Sequence, residues 1–179
     1  MANKRLIRVP LNEVRTGDEE VLGSLYPHKG VVYRWVKNSS TTGLTATGPA
    51  LVALTSVHTN VNKRVVSPDA GVATGLPYFA AGSPVTGIAC SGSDTGDHGW
   101  IACKGIRRVS VQQLVTALAV GECAIASATY NAAFASVYGA TANSATTANL
   151  YSRRIQLLSA VAATGAATAA SAIADIQCL

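Results

Sequence analysis

Between Thr95 and Gly105 the chain reads TGDHGWIACKG, which places Asp97, His98 and Cys103 within seven residues. These are the residue types of a nucleophile, its base and an orienting carboxylate. Their spacing works against that chemistry. On a strand, Asp97 and His98 point to opposite faces, and a carboxylate on one face does not orient an imidazole on the other. Cys103 would share a face with Ile101 and point to the core, whereas a reactive thiolate needs its base beside it in a partly open, electropositive setting. We read Cys103 as a small buried thiol and His98 as a solvated turn residue.

Other chemistries fit no better. Structural zinc favours close ligand pairs, but Cys90 and Cys103 are the nearest cysteines, and His28, His58 and His98 are far apart along the chain. The glycines of GVATGLP and GSDTGDHG lack the Lys-Ser/Thr of a phosphate loop and its strand-to-helix setting. Only nine acids are present, three of them consecutive, so no carboxylate pair stands out. Trp35 and Trp100 could stack a sugar, but packing anchors are the better reading, because an indole buries its body and gives its N–H to a partner. The residues lead us to expect no enzymatic activity, no cofactor and no bound metal.

The elements that position these residues are β-like. At 179 residues the chain suits one compact unit. Its apolar half is mostly Ala, Val and Gly, and only 13% of residues are charged, a composition for close-packed sheets with extensive neighbour contacts. The net charge of +5 is scattered in pairs such as Lys63-Arg64 and Arg107-Arg108; no basic recognition element for nucleic acid is present. The most apolar tract, AVAATGAATAASAIA, is too rich in Ala, Thr and Gly for a bilayer. The opening MANKRLIRVP has no apolar signal core, so folding in a cytoplasm, with the cysteines as thiols, is expected.

Residues 1–30 carry Lys4, Arg5, Arg8, Glu13 and Arg15, then Asp18, Glu19 and Glu20, with turn signals and no sustained period. We expect an extended arm that gains order by lying on something. Residues 31–179 read as a single β domain. VVYRWVKN is a strand with Val31, Tyr33 and Trp35 on one face. ALVALTSV, VNKRVV, VTGIACS and WIACKGIRRVSVQ follow as strands, separated by polar, Gly-rich turns. VQQLVTALAVGECAI allows a helical turn at most. An Ala/Thr-rich insertion spans 126–149, where Tyr130, Phe134 and Tyr138 suit a helix face or a hairpin, with strands favoured. Two closing strands around Gly165 carry the chain into the sheet. The expected fold is all-β, a small sandwich or barrel with an N-terminal arm.

One arrangement resembles a known group. The order YRWVKN, a Gly-containing turn, ALV, GIACSGSDTGDHGWIACKG, VSV, LAVGECAIAS and a final apolar strand is similar to small structural proteins of tailed-phage virions, head decoration (cement) proteins in particular. The similarity covers about Val31 to Ala126 and the closing strand; the arm and the insertion fall outside it. It implies a homo-oligomer, a trimer by preference, that binds the major capsid protein on the outside of the shell after assembly in the host cytoplasm. Such proteins have no catalytic residues to carry over. For the capsid interface we expect Arg5, Arg8 and Arg15 against acidic patches, and Tyr33 and Trp35 as packing anchors. A virion-surface carbohydrate-binding module using exposed aromatics, or another head or tail component, is the alternative.

Overall fold

The computed structural model describes residues 7–17, 19–38, 42–53, 65–66, 78–89, 97–112, 117–126, 134–136, 154–163 and 169–178. The protein is all-β, and no helix occurs among the described residues. In chain order the strands are β1 (Leu25–His28), β2 (Val31–Asn38), β3 (Ala50–Ala53), β4 (Val65–Val66), β5 (Tyr78–Pro84), β6 (His98–Gln112), β7 (Cys123–Ala126), β8 (Phe134–Ser136), β9 (Arg154–Leu157) and β10 (Ala169–Gln177). All belong to one sheet, in the order β1-β2-β6-β10-β9-β7-β8, with β4 beside β2 and the β3–β5 pair attached through β5 to β6. Pairing is antiparallel except at β2–β4 and β6–β8.

β6 organises the sheet. One of its edges holds β2 over residues 98–104, and the other holds β10 over residues 104–112. The β2 ladder skips Cys103: Tyr33 pairs with Ala102 and Val32 with Lys104. This bulge, together with Gly105 at φ +107°, changes which residues face the main core, from Trp100 and Ala102 to Val109 and Val111. A Cβ at residue 105 would lie 2.5 Å from the Gly30 carbonyl oxygen, so the close pass of β6 over the β1–β2 turn requires glycine.

The main core lies on one sheet face and combines Trp35, Trp100 and Tyr33 with Val109, Phe134, Ile155, Leu157, Ala172, Ala174 and Ile176. Among the described residues, a smaller core of Val36, Leu44, Ala50, Ala81, Ile88 and Ile101 covers the opposite face over the β2 end of β6 alone. β2 is therefore enclosed on both sides, with six of its eight residues buried. β10 is enclosed on one: its pattern alternates, with Ala172, Ala174 and Ile176 buried and Ser171, Ile173 and Gln177 exposed.

Residues 7–30, expected as an arm lying on a neighbour, pack on their own chain. Val9 is fully buried in the main core, and Ile7, Leu11, Leu22 and Tyr26 pack against it. The last part of this segment forms β1, which turns into β2 through Lys29 (φ 47°) and Gly30 (φ 79°), the paired left-handed geometry of a two-residue type I′ hairpin. Of the expected strand VTGIACS, the described residues 85–89 make a single bridge, Ile88 with Leu44. YFAAGSP, not expected to be a strand, contributes β5. Of the 126–149 insertion, Ala126 ends β7 and Phe134–Ser136 form β8; Tyr130, Tyr138 and Gly165 lie outside the described residues.

Candidate functional site

The stretch that suggested catalysis is the start of β6, and packing occupies its reactive groups. Trp100 lies opposite Trp35 across the β2–β6 ladder, the rings meeting edge to face at 5.2 Å between centroids and 60° between planes. This geometry suits the aromatic quadrupole. His98, expected in a solvated turn, is instead a buried strand residue stacked on Trp35 at 6.1 Å and 17°. The cause is register: His98 is two residues before Trp100 and so shares its face. Cys103 is buried, as expected, and its thiol donates to the Val32 carbonyl at 3.3 Å. Five residue steps of strand separate His98 from Cys103, roughly 17 Å along the chain, so the two make no nucleophile–base pair.

The N-terminal segment is fastened across this aromatic group. The Trp100 Nε1–H donates to the Val9 carbonyl at 3.0 Å, inside the core. Arg15 and His98 exchange backbone hydrogen bonds at 3.0 and 2.7 Å. The buried Glu20 carboxylate accepts the Arg8 backbone N–H. The Arg8 N–H, the Val9 carbonyl and both main-chain groups of Arg15 are thus paired within the chain itself, as burial demands.

The residues expected at a capsid interface fall into different settings. Arg5 lies outside the described residues. Arg8 is exposed. Arg15 is half-buried and pairs with Glu13 and, at 3.5 Å, with Glu19, so its charge is partly neutralised locally. Trp35 is fully buried. Tyr33 is buried beneath Arg107, whose guanidinium lies 5.6 Å from the ring centroid and whose Nη1 is 3.5 Å from the phenol oxygen. The structure therefore does not bring the described four together on one surface: the two aromatics are internal, and Arg8 and Arg15 sit on the fastened segment. Trp100 is as enclosed as Trp35, so neither indole face is open for a sugar.

Two polar residues of β2 went unnoticed in the sequence. Asn38 is fully buried and its Nδ2 donates to the Thr42 and Ile88 carbonyls at 2.9 and 3.3 Å, tying the end of β2 to the smaller core. Arg34 is only 8% exposed, on the strand enclosed on both faces, and its Nε and Nη1 have no hydrogen-bond partner. Its signal was parity: as an even residue of VVYRWVKN, Arg34 shares a face with Val36, which reads as solvent-facing unless a second core covers it.

Among the described residues, no three His, Cys, Asp or Glu side chains gather as a metal site. Neither a scan against protein-family models nor a search of the curated proteins finds a match for this chain.

Proposed function

We propose that this protein is a non-enzymatic virion component that binds the outer surface of a tailed-phage capsid and reinforces it. The resemblance of its turn-and-strand order to head decoration proteins motivates the reading. The observation that supports it most is the use of Asp97–Gly105: the residues best suited to chemistry form the central strand and its bulge, which is architecture. The β6-β10-β9-β7-β8 path, with β8 also pairing with β6, supports a small barrel as the finer form of the fold. In this reading the shell contact is made by exposed charge such as Arg8 and by surface outside the two cores, while Tyr33 and Trp35 keep the domain rigid beneath it. The major capsid protein is the partner, and many modest contacts add up over a lattice.

The test is shell stability. Capsids lacking the protein should break at a lower temperature or force than decorated ones, and adding purified protein should restore the difference; equal stability refutes reinforcement. Removing residues 1–6 together with Arg8→Glu should weaken attachment while leaving the melting temperature of the isolated protein unchanged. A longer truncation, through Glu20, would remove Val9 from the core and confuse binding with folding.

A further inference from the structure

The sheet face that the smaller core leaves uncovered carries a pattern that binding to the shell does not account for. Along the β6–β10 ladder, Ile106 pairs with Asp175 and Arg108 pairs with Ile173. Both isoleucines are well exposed, at 60% and 43%, and Leu158, whose N–H donates to the Ile173 carbonyl, is exposed at 41%. The four paired residues form a two-by-two block, with apolar side chains on one diagonal and opposite charges on the other. Arg108 has no ion pair among the described residues, and Asp175 accepts a hydrogen bond from Gln177 at 2.8 Å.

Such a block is complementary to itself. Laid face to face about a two-fold axis along the Ile106–Ile173 diagonal, each isoleucine meets its own counterpart, and Arg108 of each copy meets Asp175 of the other. We propose that this face is the contact between two copies of the chain, an isologous sheet-on-sheet packing. Charge complementarity selects a second copy as the occupant: a chain of net charge +5 repels its own kind, and the crossed Arg108–Asp175 pairs turn that repulsion into attraction at this surface. The contact is small. β10 offers a nine-residue run, about 30 Å long, and three strands span about 14 Å, so roughly 400 Å² is covered per copy, half of a standard interface. Association in the micromolar range or weaker follows. The inference stands apart from the virion reading, and a two-fold contact of this kind pairs subunits, or links the trimers that the resemblance implies.

Sedimentation equilibrium of the intact protein, from micromolar to millimolar concentration, tests it. Wild type should dimerise reversibly, and added salt should weaken the dimer. Arg108→Asp and Asp175→Arg should each weaken self-association about tenfold or more by placing like charges across the axis. An equimolar mixture of the two variants should recover a heterodimer, since both crossed pairs are then restored. The double exchange R108D/D175R on one chain should recover the homodimer. Circular dichroism checks that each variant is folded. Wild type that stays monomeric throughout, or a dimer indifferent to both exchanges and to their mixing, overturns the proposal. A monomer whose Arg108→Asp variant loses capsid binding also overturns it, by making the shell the occupant of this face.

Discussion

β2 and β10 flank the same central strand on opposite edges, yet their side chains follow different rules. β2 is covered on both faces, so VVYRWVKN is buried almost throughout and shows no inside–outside alternation. β10 is covered on one, and AASAIADIQ alternates along most of its length. β6 passes between the two regimes within one strand: residues 98–103 are all buried, whereas 104–108 are exposed or half-buried in turn. The change falls at the Cys103 bulge and Gly105. A second layer, more than the strand's own composition, thus decides whether a residue such as Arg34 or Ile173 meets protein or solvent.

The comparison can be broken most forcefully on the doubly covered side. Trp35→Ala should cost about 3–5 kcal/mol, since it empties an enclosed site against Trp100 and His98; denaturant titration reads the loss, and a loss near zero would mean that the ring is not enclosed. Next comes the junction. Gly105→Ala should cost roughly 1–3 kcal/mol in backbone strain, with the clash against Gly30 added. Its effect should be partly relieved by lengthening or loosening the Lys29–Gly30 turn, and a double-mutant cycle measures that coupling. The smallest expected effect has the opposite sign. Arg34→Met keeps the stem and removes a buried cation with unpartnered N–H groups, so it should stabilise the isolated protein by about 1 kcal/mol. A destabilised variant in thermal melts would show that Arg34 has an acceptor in solution.

The same contrast explains what could be read from the sequence. β2 and the body of β6 were legible because β-branched and aromatic residues are concentrated there, and β10 because Ala172, Ala174 and Ile176 keep a period of two. β1 was hidden because its turn uses Lys29 where Asn or Asp usually occupies the left-handed position. β5 was hidden because its Gly-Ser-Pro end reads as a turn. The packing of residues 7–30 was missed because Val9, Leu11, Leu22 and Tyr26 are too widely spaced to show a period, and what gathers them is the main core that includes Trp100. For the candidate site, the fate of Cys103 followed from face parity. That of His98 did not, since a turn through Gly99 was as consistent with the sequence as a strand. Arg34 and Asn38 could be recognised as buried only once the smaller core was placed over β2.

The long β6–β10 ladder also imposes a timetable. Residues 113–168 lie between these strands, so at synthesis rates of roughly 5–20 residues per second several seconds pass after Gln112 before β10 exists to pair with β6. Over that interval one edge of residues 104–112 of β6, KGIRRVSVQ, offers unpaired N–H and C=O groups to any neighbouring nascent chain. The charges within that segment, Lys104, Arg107 and Arg108, are placed as gatekeepers against such pairing. Residues that look like surface decoration in the finished molecule would then act earlier, by keeping chains apart until each can complete its own sheet.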